Sequence, residues 1–280
     1  IFEFRNSVEH WYPQNPSEGT FEQWKDGVDQ FGNLCIIQRN VNSKFSNSIY
    51  VRSLSGKTKT YSVYKETEKY SEPLKKVSLV FDALKNSEGL AEVLYTLDDF
   101  RVKGTFFLNG EFIRRYPHKA KQIAFSGNEC ASMFFSCADL VENNFIVDKD
   151  FIQRGLARNE DEFFNATGKE LSLYWHAPFY HSNQLMKNAG TEAGYNYVEV
   201  FNKFNDRITF EESKESGKEY LNASSLVDSF AENLYDGIVI PVSIGTMDGT
   251  RRDYLYEKLD LLISSILENG YEIVSLKDLH

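Results

Sequence analysis

The chain has 280 residues, of which 41% are hydrophobic and 26% charged, and it carries a formal net charge of -10 at pH 7. This length suits one large domain, or a large domain with a small one, and no apolar run is long enough to cross a membrane. The acidic balance argues against a nucleic-acid partner, because phosphate binding relies on clustered Lys and Arg. The three cysteines allow at most one disulfide within the chain, which excludes a disulfide-stapled scaffold.

Residues 1–74 have short alternating runs and no long helical period, unlike the rest of the chain. This pattern predicts a small β-rich module or extension. Short alternating runs predict strands at 34–38, 48–54 and 58–64, with a turn at Ser55-Gly56-Lys57. We interpret this segment either as an extension that covers the main domain or as a separate ligand-binding module. The chain begins at Ile1 rather than Met, which we interpret as a processed start.

Residues 75–280 alternate between predicted strands and helices. The run 77–83 predicts a buried strand that presents Asp82 near its end. Further strands are predicted at 104–108, 171–175, 197–201, 238–242 and 271–276. Helices are predicted at 90–100 with Ser87 as N-cap, from Pro117 to 125, at 152–168, 182–193 and 255–270, and a solvated loop at 210–220. Repeated β-then-α units predict a mostly parallel sheet, open or closed into a barrel.

Five segments carry a recognisable pattern in a fixed order. They are 80–84, 104–110, 127–140, 175–180, and 237–243 followed by 269–276. In this order they resemble the motifs of the polysaccharide deacetylase family, also called the NodB-homology domain or carbohydrate esterase family four. The most specific match is 104–110, which reads Gly-Thr-Phe-Phe-Leu-Asn-Gly. The resemblance covers about residues 77–279 and implies the family's distorted (β/α) barrel.

The resemblance also shows that the positions of the family's metal ligands are altered. In the family a divalent metal, usually zinc, is held by the second Asp of the first motif and two His of the second. The corresponding positions here are Ala83, Met133 and Cys137. Because no ordinary zinc ligand set is retained, the resemblance implies that this chain has no metal cofactor.

The other catalytic positions of the family are altered as well. Asp82 stands where the family has its general base, His176 where it has the Arg that orients the base, and Ser243 where it has the His that protonates the leaving amine. The supporting acidic residue expected after residues 197–200 is replaced by Asn202 and Lys203. Since such groups act as a unit, the resemblance predicts that the shape was inherited and the hydrolysis was lost.

The leading hypothesis is therefore a pseudoenzyme whose groove binds a glycan or another partner. The aromatic residues expected to line the groove are Phe81, Phe134, Phe135, Trp175, Phe179 and Tyr180. Phe134 and Phe135 can equally plug the groove, and the domain would then be a structural or protein-interaction piece. Family members mostly work outside the cytoplasm, so the resemblance implies an extracellular or cell-envelope location.

Two other hypotheses stay open from the sequence. The first is an active hydrolase that removes N-acetyl groups from a glycan through a rearranged site, with Asp82 assisted by His176 or His181. The second is a remodelled metal site: Met133 and Cys137 offer two sulfur atoms that suit a soft ion such as Cu(I). His176 and His181, with Cys130 or Cys137 nearby, offer a second possible ligand set. Ordinary packing explains all of these residues equally well.

Overall fold

A computed structural model describes residues 6–10, 34–38, 49–52, 58–61 and 75–279, except 217–218, 246–250 and 252. Contacts divide the chain into two units, Ile1–Pro73 and Leu74–His280. In the first unit, strand β1 (Asn6–His10) pairs antiparallel with β2 (Leu34–Gln38), and β3 (Ile49–Arg52) with β4 (Thr58–Tyr61). Strand β2 has the predicted bounds, β3 and β4 are shorter than predicted, and β1 was not predicted.

The second unit is built on a seven-stranded parallel sheet. Its strands are β5 (Lys75–Ala83), β6 (Thr105–Leu108), β7 (Glu129–Ser132), β8 (Tyr174–Trp175), β9 (Asn196–Tyr197), β10 (Ile238–Ser243) and β11 (Tyr271–Ile273). The spatial order is β10-β5-β6-β7-β8-β9, and β11 also pairs with β5. The N–H of Phe201 donates to the carbonyl of Val239 at 2.8 Å, which links the segment after β9 back to β10. The sheet therefore curls into a distorted barrel, as predicted.

Helices connect the strands and cover the sheet. They are α1 (Leu90–Phe100), α2 (Gly110–Arg115), α3 (Pro117–Ala124), α4 (Lys149–Thr167), α5 (Gln184–Glu192), α6 (Phe210–Ser216), α7 (Ala223–Glu232) and α8 (Leu259–Glu268). Helix α1 buries Leu90, Val93 and Leu97, which share one face of a helix, and so it packs on the apolar sheet. Pro117 opens α3 as predicted, because a proline ring suits the first helical turn.

Two local predictions were wrong. Ser87 does not cap α1 with its side chain: Gly89 is the N-cap, and only the carbonyl of Ser87 accepts a bond, from the N–H of Leu90 at 3.2 Å. The predicted loop at 210–220 instead contains helix α6. The N–H of Glu212 donates to Thr209 Oγ1 at 3.1 Å, and the N–H of Thr209 donates to Glu212 Oε2 at 2.8 Å. This reciprocal capping box starts a helix that the charged composition of the segment had concealed.

The carboxyl ends of the parallel strands meet at one edge of the sheet. Asp82 lies opposite Ser243 in the register of β5 and β10, and His176 follows directly after β8. Three of the positions selected from sequence therefore lie at one edge, which is where α/β sheets place their binding sites.

Candidate functional site

Asp82 is the centre of a buried network of hydrogen bonds. Its Oδ1 lies 3.0 Å from Nε2 of His176, and its Oδ2 accepts a hydrogen bond from the Tyr180 hydroxyl at 2.5 Å. The guanidinium of Arg207 also forms an ion pair with Oδ2. The Asp82 side chain is 0% exposed, so both carboxylate oxygens are occupied by protein groups and shielded from water.

The network holds Asp82 in its charged form. Burial alone would raise the pKa of Asp82, but the charges of His176 and Arg207 and the hydrogen bonds from His176 and Tyr180 lower it below its usual value. The same burial and the nearby Asp82 carboxylate raise the pKa of Tyr180 well above its usual value, so Tyr180 remains a neutral hydrogen-bond donor. A carboxylate whose pKa is lowered is a weak base.

The two ring nitrogens of His176 both face acceptors. Nε2 faces the Asp82 carboxylate, and Nδ1 lies 2.9 Å from the carbonyl oxygen of Ala177. A neutral imidazole has only one N–H, so only the imidazolium form satisfies both contacts. The ring also packs against Phe107, with 4.2 Å between the ring centroids. His176 is therefore held by contacts on both ring nitrogens and on its ring face, with Asp82 as its side-chain partner.

Arg207 supplies a second positive charge, and sequence reasoning missed it. Its guanidinium donates to Asp82, to the carbonyl of Pro178 and, at 3.4 Å, to Ser243 Oγ. It also lies over the Tyr180 ring, 4.3 Å from the centroid. An arginine thus reaches the carboxylate although the family's Arg position holds His176. No local pattern predicted this contact, because Arg207 lies in a loop between β9 and α6.

Asp206 is a second buried carboxylate that the sequence comparison did not locate. It accepts bonds from the N–H of Ser243, at 3.2 Å to Oδ2 and 3.3 Å to Oδ1, and from the N–H of Leu255 at 3.3 Å. Burial raises the pKa of Asp206, while the Ser243 hydroxyl, Arg251 and Arg207 oppose that change. Ser243 is therefore held between Asp206 and Arg207, and its role is that of a polar link in the network.

The residues at the family's metal positions do not fit a zinc ion. Ala83 has no donor atom, and Met133 is 0% exposed within an apolar cluster that contains Phe107. Burial raises the pKa of the Cys137 thiol, which disfavours the thiolate that binds metal. The soft-ion site at Met133 and Cys137 stays a prediction.

Three of the six aromatic residues assigned to the groove are core residues instead. Phe81, Phe134 and Trp175 are between 0% and 1% exposed, so none of them can face a ligand. Phe135 is partly exposed, but the guanidinium of Arg158 lies 3.8 Å and that of Arg114 4.8 Å from the ring centroid. Tyr180 is bound to Asp82. Phe179, next to it, is partly exposed and is the remaining candidate for contact with a ligand.

The two histidines of the loop after β8 have different partners. His176 binds Asp82, whereas Nδ1 of His181 lies 2.7 Å from Oδ2 of Asp139. The proposed ligand pair of His176 and His181 is therefore divided between two aspartates. Cys130 is also unsuited to that site, because burial raises its pKa to about 12.

Comparison with known proteins gives matches for both units. Residues 69–198 match the family described as polysaccharide deacetylase, and residues 2–86 match the C-terminal domain of GmrSD restriction endonucleases. The peptidoglycan-N-acetylmuramic acid deacetylase PdaA of Bacillus subtilis is 25% identical over 73% of this chain and 71% of its own.

Solved structures with the same fold include an esterase and a protein described as a pseudoenzyme. A CE4 family pseudoenzyme of Bacillus anthracis is 18% identical, with a TM-score of 0.58 over 74% of this chain and 65% of that one. A family 4 acetyl xylan esterase of Clostridium thermocellum, solved with a cobalt ion, is 21% identical, with a TM-score of 0.59 over 73% of this chain and 90% of that one. At these identities the likeness establishes the fold of the barrel.

Proposed function

We propose that the chain is a divergent member of the polysaccharide deacetylase family and that its barrel is a pseudoenzyme, which binds a glycan without hydrolysing it. The state of Asp82 carries the proposal. Its side chain is 0% exposed, and His176, Tyr180 and Arg207 occupy both of its oxygens. A general base must come within about 2.6–3.2 Å of the proton it abstracts, and no water can approach this carboxylate without breaking the network.

The altered metal positions support the same conclusion. Hydrolysis of an acetamide in this family depends on a metal that polarises the carbonyl and activates water. Ala83, Met133 and Cys137 do not supply the ligands for it. Arg207 contacts Asp82 and so holds the carboxylate in place. The positions that bind the metal in the family, however, lack suitable ligands. The rearranged hydrolase with Asp82 and a histidine is therefore the weaker candidate.

A glycan of the cell envelope is the ligand class that we propose. The B. subtilis relative is named for its action on N-acetylmuramic acid in peptidoglycan. A protein that has lost the hydrolytic groups can still bind the same class of glycan. Phe179 offers a partly exposed ring beside the former site, and aromatic rings stack on the apolar faces of sugars. None of the described helices has the length and apolarity to cross a membrane.

Calorimetric titration of the full chain with chitin-type and peptidoglycan-type oligomers tests this proposal. We expect saturable binding that weakens in Phe179→Ala, with the oligomer recovered fully acetylated. Phe125→Ala is the matched control, because Phe125 is 59% exposed but packs with Lys169 on another surface, and its affinity should equal that of the wild type. Trp175→Ala is unsuitable, because Trp175 is a core residue.

Two results would overturn the proposal. Equal glycan affinities of the Phe179→Ala variant and the wild type would show that the glycan does not bind at Phe179. The absence of binding to every oligomer would favour a purely structural or protein-interaction domain instead.

A second candidate function concerns residues 1–73, for which we propose nucleic-acid binding. The family match to restriction endonucleases at residues 2–86 is one reason. The other is charge: residues 1–73 hold nine Lys and Arg and nine Asp and Glu, so the whole net charge of -10 comes from residues 74–280, with 22 basic and 32 acidic residues. Residues 39–65 contain six Lys and Arg and no Asp or Glu. The net charge of the whole chain, which argued against a nucleic-acid partner, therefore combines a neutral unit with an acidic one.

Fluorescence anisotropy with duplex DNA at increasing salt tests this second function. Binding to phosphates by Lys and Arg should weaken linearly in a double-logarithmic plot against salt, because counterions are released. The Lys57→Glu/Lys59→Glu variant should bind more weakly and show a shallower slope. Affinity that is independent of salt, or unchanged in this variant, would reject the function.

A further inference from the structure

The loops after β7 and β8 bring three potential metal ligands together outside the Asp82 network. The carboxylates of Asp139 and Glu142 and the imidazole of His181 each offer one ligand atom, and these atoms lie within 4.8 Å of one another. We propose that they form a binding site for a divalent transition-metal ion of the zinc class. Among the described residues, this is the one group of three such side chains that could hold a metal ion. The inference is independent of the proposed glycan binding.

Backbone and side-chain hydrogen bonds fix the position of Asp139 within this group. Oδ1 of Asp139 accepts bonds from the N–H groups of Val141 and Glu142, both at 2.9 Å. The carbonyl of Asp139 accepts a further bond from the side-chain amide of Asn143 at 3.0 Å. Oδ2 of Asp139 is thereby left to face His181. Outer contacts that orient the first ligands are a regular feature of metal sites in proteins.

The charge of the group favours a cation. The ligand atoms offered by Asp139 and Glu142 lie within 4.8 Å of each other, so the site brings two carboxylates close together beside one imidazole. Two charged carboxylates this close repel each other, and a divalent ion between them offsets that repulsion.

The donor types select the class of ion. One imidazole nitrogen and two carboxylate oxygens suit zinc, which binds both at about 2.0–2.2 Å, whereas magnesium prefers oxygen and water alone. Three protein ligands leave at least one position open for water or for an oxygen atom of a bound molecule. The side chains of Asp139 and His181 are 19% and 35% exposed, so an ion can enter from solvent.

The site lies beside the former catalytic centre without sharing its ligands. His181 follows Tyr180, whose hydroxyl binds Asp82 and whose φ of 63° turns the chain sharply between the two partners. Asp139 stands two residues after Cys137. The positions that hold metal in the family, Ala83, Met133 and Cys137, take no part in this group. The ion would therefore occupy the rim of the site rather than its floor.

Zinc titration of the full chain by calorimetry, with metal content by elemental mass spectrometry, tests the inference. We expect His181→Gln and Asp139→Asn each to lose one zinc equivalent that the wild type holds, or to bind it at least about 100-fold more weakly, since loss of outer contacts alone costs about 10–100-fold. His118→Gln is the matched control, because His118 is exposed on α3, and it should retain the wild-type stoichiometry. Thermal unfolding of each apo variant checks that the fold is intact.

The site of any zinc that binds is identified by X-ray absorption. A first shell that contains nitrogen and oxygen at this equivalent, without sulfur, supports the inference. Sulfur among the ligands of the bound zinc would place the ion elsewhere and overturn the inference. So would a zinc ion that is lost in Cys137→Ser but retained in His181→Gln. Full wild-type stoichiometry in both His181→Gln and Asp139→Asn, or a wild type that binds no zinc, would overturn it too.

Discussion

Two aspartate–histidine pairs lie in one barrel, and their surroundings give them different chemistry. Asp82 and His176 are 3.0 Å apart, with side chains 0% and 1% exposed. Asp139 and His181 are 2.7 Å apart, with side chains 19% and 35% exposed. The first pair is completed by Arg207 and Tyr180, whereas a second carboxylate, Glu142, lies beside the second pair.

The difference shows that residue type alone does not decide what such a pair can do. Around Asp82 both carboxylate oxygens already have protein partners and the side chain is buried, so we expect this pair to stabilise the fold. Around Asp139 the negative charge exceeds the positive charge, and the groups remain accessible. The barrel thus holds one buried pair with its own protein partners and one accessible pair beside a further carboxylate.

Removal of Asp82 should produce the largest effect. Asp82→Ala leaves Arg207 and His176 buried without a counter-charge, and breaking a buried pair costs about 3–5 kcal/mol. We expect the free energy of unfolding, from urea denaturation, to fall by that amount. The matched control is Asp98→Ala, an exposed carboxylate on α1, which should change it by less than about 0.5 kcal/mol. An Asp82→Ala variant as stable as that control would contradict the compensated network.

Low pH should narrow the difference in unfolding free energy between the wild type and a variant without the Asp82 charge. Because the pKa of Asp82 is lowered in the folded state, its contribution is fully present above the ordinary value of 3.8 and is lost as pH falls below it. The gap in unfolding free energy between the wild type and Asp82→Asn should therefore narrow below that pH. Asp206 has the opposite sign, because its pKa is raised, but it is common to both proteins and cancels. A gap that is constant down to pH 2 would be inconsistent with a charged Asp82.

Loss of the Tyr180 hydroxyl should have an intermediate effect. Tyr180→Phe removes one hydrogen bond to a charged group, which is worth about 1.5–3 kcal/mol, and keeps the ring beneath Arg207. Tyr197→Phe is the control, because the Tyr197 hydroxyl contacts only neutral groups, the N–H of Ala177 at 3.5 Å and the Ser182 side chain. Thermal unfolding should rank Tyr180→Phe below Tyr197→Phe. The reverse order would mean that the hydroxyl adds little to the network.

The exposed pair should contribute least to stability without metal. Asp139→Asn should lower the unfolding free energy by about 1 kcal/mol or less, since accessible ion pairs contribute little. The change in Tm should grow when zinc is added, because a ligand that binds only the folded protein stabilises it. A loss as large as that of Asp82→Ala would remove the contrast between the two pairs.

The sequence was sufficient for the sheet and for the position of Asp82. The apolar run 77–83 placed Asp82 near the end of a buried strand, whereas His176 and Ser243 were identified only through the motif resemblance. The motif resemblance extended this to the whole barrel. These inferences depend on local patterns, and local patterns survive in the structure.

The remainder of the site depends on contacts between distant segments. Arg207 is 125 positions away from Asp82 and lies in a loop without periodicity, so nothing local indicated its contact. Trp175 was assigned to a groove because aromatic residues often line grooves, but its strand lies between β7 and β9, and its ring packs against Tyr197 at 5.0 Å. Burial of this kind follows from packing, which one sequence does not report.

Acetate release by the full chain from N-acetylated glycan oligomers, with zinc present, tests the central claim most directly. An active family deacetylase verifies the assay, and Asp82→Asn provides the matched background. The account predicts that the wild type releases no more acetate than Asp82→Asn or the blank. Acetate released by the wild type and abolished in a folded Asp82→Asn variant would show that the carboxylate is a working base, and would contradict the account.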